Sequence, residues 1–213
     1  KNTEVVKVNK IHKNINNYYT DKIKNHGATP KGVDWNGEDS QLLRFEQLSK
    51  IINKDNFSLA DVGCGYGKYC DYLKSNFKNY NYKGYDLSKE MIKNAQELYN
   101  DKAVEFVHID ELNSIPNADY SIASGIFSVK MQYNETQWLS YILSTLEVVN
   151  HKSKNGFAFN MLTKYSDKEH MKDNLYYADP LFFFDYCKRN FSKNISLNHD
   201  YGLYEFTILV RKE

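Results

Sequence analysis

Three prolines among 213 residues leave no room for a proline-rich linker, and neither an internal repeat nor a low-complexity stretch interrupts the chain. Cysteine is equally scarce. Cys64, Cys70 and Cys187 make no C-x-x-C pair and no metal-ligand spacing, which excludes a disulfide framework and a thiolate metal centre. No metal is expected, and free thiols suit a reducing cytoplasm, the expected location. No apolar run approaches the ~20 residues of a membrane span, and no signal-peptide pattern opens the chain, so no membrane partner is expected. Charge of one sign is missing too. Lys+Arg number 28 and Asp+Glu 27, a net +1, without the basic excess that phosphate contacts demand of a nucleic-acid binder. Aromatics, by contrast, are plentiful at 15%, with 18 Tyr and 12 Phe, and furnish the core of what its length makes one domain.

The stretch from Ser58 to Lys68 carries the chemistry. An apolar strand runs into Asp61-Val-Gly-Cys-Gly-Tyr-Gly67. Glycines at a strand end let a backbone approach a bound nucleotide, because no Cβ intervenes. The dinucleotide pattern G-x-G-x-x-G, counted from Gly63, needs glycine at position 68, where this chain has Lys68. A phosphate loop ending in G-K-S or G-K-T is also absent. One βαβ step later a second strand ends at Tyr85-Asp86-Leu87, and a third leads into Asp110.

These landmarks, in this order and each at a strand end, resemble the class I S-adenosylmethionine-dependent methyltransferases, whose first motif reads acidic-x-G-x-G-x-G. The resemblance covers residues 55–165 well and the rest by topology. It implies a Rossmann-like α/β fold: a seven-stranded, mostly parallel sheet with an antiparallel last strand and helices on both faces. It implies S-adenosylmethionine as cofactor and S-adenosylhomocysteine as product. Carried over to this chain, Gly63, Gly65 and Gly67 approach the methionine portion and ribose. Asp61 sits near the cofactor's amino group, and Asp86 accepts from the ribose hydroxyls. Leu87 and Met91 pack on adenine, with Asp110, Glu111 and Leu112 at its edge. Ser124, Gly125 and Ile126 follow strand 4, where the sulfonium and amino-acid tail lie.

Along the chain, residues 1–26 are polar with an irregular helical pattern, and 27–37 read as a loop. Ser40 is the expected cap of a helix reaching Ile52, with an apolar face through Leu42, Leu43, Phe45, Leu48 and Ile51. Residues 1–53 are expected to form a helical lid region ahead of a methyltransferase domain at 54–213. Strands are expected at 57–62, 81–86, 104–108, 119–124, 156–162, 194–199 and 204–211. Helices are expected at 67–76, 88–99, 135–150 and 180–191, with a polar insertion over 163–179. Strands alternating with helices predict a parallel sheet.

Methyl transfer asks mainly for alignment of nucleophile, carbon and sulfur, with a base where the nucleophile loses a proton. His199 is the expected base, its pKa being nearest neutrality, with Tyr133 as a second candidate. Tyr176, Tyr177 and Lys130 are expected to meet the acceptor. Trp35 and Arg44, from the lid, are expected at the cofactor, Arg44 pairing with a carboxylate or phosphate. The segment after strand 4 lacks the N/D-P-P-Y/F pattern of amide- and adenine-nitrogen methylases, and no Pro-Cys pair supplies a thiolate nucleophile. The expected activity is O-methylation of a small polar molecule. A looser likeness to bacterial methyltransferases of surface-polysaccharide clusters suggests a capsule precursor bearing a sugar, nucleotide-linked or phosphoramidate group. A non-catalytic cofactor-binding module and an aminopropyltransferase on the same fold are the alternatives. The chain is expected to be a monomer or weak homodimer.

Overall fold

The computed structural model describes residues 2–33 and 37–212. Seven strands form one sheet: β1 (Phe57–Val62), β2 (Tyr80–Asp86), β3 (Val104–His108), β4 (Ala118–Ala123), β5 (Ser153–Leu162), β6 (Asn194–Asn198) and β7 (Glu205–Arg211). Their order is β3-β2-β1-β4-β5-β7-β6. The first five are parallel, and β7 runs antiparallel between β5 and β6. The order reverses beside β1, so β1 and β4 part company at their carboxyl ends, the place where open α/β sheets bind ligands.

Two cores cover the sheet. On one face, helix α5 (Glu135–Lys152) and helix α6 (Pro180–Asn190) bury Trp138, Ile142 and Phe183 against Phe157, Phe159 and Ile208. On the other, helices α2 (Glu38–Ser49), α3 (Tyr69–Asn76) and α4 (Lys89–Leu98) bury Leu48, Leu73 and Ala95 against Leu59, Tyr82 and Leu209. Strand alternation sends successive residues to opposite faces, so Leu59 and Ala60 belong to different cores.

Helix starts follow local chemistry. Asn134 and Gln137 form a reciprocal capping box on α5, Ser88 accepts from the Met91 amide of α4, and Asp179 accepts from Leu181 ahead of Pro180 in α6. The start of α2 differs from expectation. Its cap position is Gly37, and the Ser40 hydroxyl donates back to the Gly37 carbonyl at 3.0 Å. Strand β5 also begins earlier than expected, at Ser153, because α5 runs directly into it and the Ser153 hydroxyl donates to Val149.

The polar N-terminal segment is one helix, α1 (Asn2–His26). Its sparse apolar residues are spent at separate points: Ile11 joins the α5 core, and Ile23 packs with Tyr66 and Met91. The helix thus crosses above the carboxyl end of β2. Thr20 shares a 2.7 Å hydrogen bond with Ser88, and Asn14 donates to Tyr133 at 2.8 Å. Helix α2, by contrast, is part of the sandwich, with Leu48 and, just past its end at Ser49, Ile51 fully buried.

Candidate active site

A cavity opens at the carboxyl ends of β1, β2 and β4. Its floor is the segment Asp61–Tyr66, its sides Asp86–Leu87 and Ser124–Ile126, and its roof Ile15, Tyr19 and Val33. Gly63 and Gly65 have φ of +73° and +56°, values that side-chain-bearing residues rarely adopt. A Cβ on Gly63 would also lie 2.4 Å from Ile126. Gly67, with φ of +84°, shares that backbone and has a second reason to be glycine. It does not line the cavity; a Cβ there would stand 2.5 Å from the Phe106 ring of β3. This glycine lets α3 pack on the sheet, which corrects its expected role as a cofactor contact.

Two acids face the cavity. Asp61 is 3% exposed and accepts from the Tyr82 hydroxyl at 2.7 Å. Burial pushes its pKa up to about 7 against that hydrogen bond, and the Asp86 charge adds to the rise. Asp86 accepts from the amides of Gly65 at 2.9 Å and Ser88 at 2.8 Å. Burial raises its pKa as well, opposed by those amides. The Asp86 carboxylate therefore welds the glycine loop to the start of α4 and, with about four lone-pair sites, retains capacity for further donors. Cys64, also on the wall, has its thiol pushed well above the usual range by burial and by Asp86, which leaves no thiolate to act as nucleophile.

A family model described as a methyltransferase domain matches residues 59–150. The Mycobacterium tuberculosis protein named Putative methyltransferase Rv1506c is 48% identical over 165 residues, spanning 76% of this chain and 98% of that one. The chain belongs to the class I S-adenosylmethionine-dependent methyltransferases. Its fold is that of magnesium protoporphyrin IX methyltransferase from Synechocystis, solved with bound S-adenosylhomocysteine (TM-score 0.57, 15% identity, 82% of this chain and 81% of that one). Human N-acetylserotonin methyltransferase, solved with S-adenosylmethionine, is similar in fold too (TM-score 0.60, 14% identity, 82% and 56%).

The residues of this methyltransferase fit such a cofactor. Its cavity holds a glycine cradle, two acids, and two buried polar atoms without a hydrogen-bond partner, Gln41 Oε1 and Ser124 Oγ. Leu87, Met91, Leu112, Ser124, Gly125 and Ile126 line the cavity with Asp61, Gly63, Gly65 and Asp86. Asp110 and Glu111 stand apart from it. They border an adjoining recess with Asn9, His12, Lys13 and Asn16 of α1, which meets the cavity at Leu87 and Ile109.

Arg44 is elsewhere. It is 8% exposed and meets a carboxylate of its own chain: its Nε donates to both oxygens of Glu205, at 2.8 and 2.7 Å. Glu205 also accepts from Asn160, whose Oδ1 accepts from the Gly125 amide at 2.7 Å. Arg44 is therefore a structural ion pair behind the cavity, not one of its walls. Trp35 lies outside the described residues.

The other expected contacts are dispersed. His199 is exposed just past β6, beside Tyr165 and Phe206, and does not line the cavity. The sheet edge carries it away from the β1–β4 opening, which removes it as the base. Tyr133 accepts from Asn14 and stacks on Trp138. Tyr176 is buried in the α5 core; Tyr177 accepts from the Lys172 amide, and Lys130 donates to the Asp173 carbonyl. Lys130, Tyr176 and Tyr177 thus fasten the 163–179 insertion, and none of the three lines the cavity.

Composition and motif leave Tyr141, Asn160 and Glu205 unmarked. Tyr141 reaches the cavity from α5 and meets His12 edge-to-face at 5.8 Å. Its apolar helix spacing reads simply as core, and Glu205 has no sequence signal beyond an acid opening a strand.

Proposed function

We propose that this methyltransferase transfers a methyl group to an oxygen of a small polar molecule. The observation carrying this reading is α1. It lies across the cavity, held at Ser88 and Tyr133, so a macromolecular acceptor would have to displace a helix that a small molecule can pass. Polarity of the acceptor is supported by the adjoining recess, bordered by Asn9, Lys13, Asn16, Asp110 and Glu111. Oxygen is supported by Ser-Gly-Ile-Phe127 after β4, in place of the pattern common to nitrogen methylases.

The cofactor supplies an activated methyl carbon on a sulfonium. The chain's contribution is to bind and align. Gly63 and Gly65 bring backbone close, Asp86 receives ribose hydroxyls, and Leu87 and Met91 flank the base. Helix α1 with Val33 forms the lid that excludes water. A capsule or surface-polysaccharide precursor, offering sugar hydroxyls, is the sharpest acceptor class. The test is transfer of label from methyl-labelled S-adenosylmethionine to panels of sugars, nucleotide sugars, amines, RNA and protein. Label on hydroxyl-bearing sugars is expected; label on RNA or protein would contradict the reading.

A further inference from the structure

We propose that Gln41 and Lys68 grip the amino-acid tail of the cofactor. The inference rests on the cofactor reading and assigns one end of that site.

The tail is a zwitterion, and its two charges need opposite partners. Asp61 and Asp86 supply negative charge to the cavity, which suits the ammonium and repels the carboxylate. Among the described residues lining the cavity, Lys68 is the one basic side chain. It sits directly before α3, with Nζ 2.9 Å from Asp71 and 4.0 Å from Glu38. An ammonium has three donors, so these acidic neighbours orient the side chain and leave it able to take a ligand carboxylate.

Gln41 stands on the same face of α2 as Glu38, one turn on, and is 4% exposed. It lies beside the Tyr66 hydroxyl, where it partly opposes the burial that raises that tyrosine's pKa. Its Oε1 is buried with no partner. Leaving a buried acceptor unpaired costs ~1–3 kcal/mol, a cost that a ligand ammonium lying between Gln41 and Asp61 removes. Ser124 Oγ, likewise buried and unpartnered on the opposite wall, offers the tail a hydroxyl. The arrangement explains why the cavity can dispense with Arg44: its guanidinium is consumed by Glu205, whereas its helix neighbour Gln41 faces the ligand.

The experiment is calorimetric titration of the full chain, as wild type, Lys68→Met and Gln41→Leu, with S-adenosylhomocysteine and with 5′-methylthioadenosine, which lacks the tail. Thermal melts check the fold of each variant, and Lys68, a third exposed, keeps the test open should Gln41→Leu fail to fold. Each folded variant should lose at least tenfold in affinity for S-adenosylhomocysteine and stay within twofold of wild type for methylthioadenosine. Unchanged S-adenosylhomocysteine affinity, or equal weakening of both ligands, would overturn the assignment. Wild-type protein that binds neither ligand would instead bring down the cofactor reading, and the assignment with it.

Discussion

At the scale of single residues, the most telling group is Asp61. An acid whose folded pKa is about 7 holds a proton that the unfolded chain has already released above ~4. It therefore costs stability progressively as pH rises from about 4 to 7, and nothing below the lower value. A burial penalty of this kind is accepted where a ligand cation awaits the carboxylate. A cofactor ammonium at Asp61 would favour the ionised form, and affinity for S-adenosylhomocysteine should then rise between pH 6 and 8. Titrations across that range test this, and Asp61→Asn should flatten the slope. A wild-type affinity independent of pH would remove Asp61 from the ammonium. The acid and its motif were readable in the sequence. Its hydrogen bond from Tyr82 was not, since that tyrosine belongs to the neighbouring strand and only the β1–β2 register brings it alongside.

At the scale of elements, the three glycines part into two jobs. Gly63 and Gly65 shape the cavity, whereas Gly67 admits the Phe106 ring between α3 and β3. A Gly67→Ala substitution combines a φ of +84° with a 2.5 Å clash, and overpacking of this sort costs ~1–3 kcal/mol. A lowered melting temperature is expected, with cofactor affinity of the folded fraction little altered. The spacing of the motif was plain in the sequence, but spacing cannot say which side of the loop each glycine serves. Strands and helices after residue 55 followed from apolar runs and caps within a few residues. Helix α1 was the hard element, because Ile11, Ile15 and Ile23 spend their burial on different partners instead of one stripe.

At the scale of the whole molecule, one buried chain of polar contacts crosses the fold. Arg44 of α2 pairs with Glu205 of β7, Glu205 accepts from Asn160 of β5, and Asn160 holds the Gly125 amide behind β4. The ion pair spans 161 positions of sequence, beyond the reach of any local pattern, and that is why Arg44 read as a ligand contact. Removing one partner of such a pair strands the other's charge in the interior, at ~3–5 kcal/mol. Glu205→Ala should therefore unfold at markedly lower denaturant concentration, and Glu205→Gln, which keeps an acceptor for Asn160, should lose less. Equal stability in all three proteins would show that the network is dispensable.

The cofactor site is the claim on which the rest depends, and calorimetric titration with S-adenosylhomocysteine tests it most directly, with an Asp86→Ala variant and NAD as controls. Micromolar binding by the wild type, lost in the variant and absent for NAD, is the predicted result. No binding of S-adenosylhomocysteine, or binding of NAD in its place, would contradict it and leave the glycine loop as a structural turn.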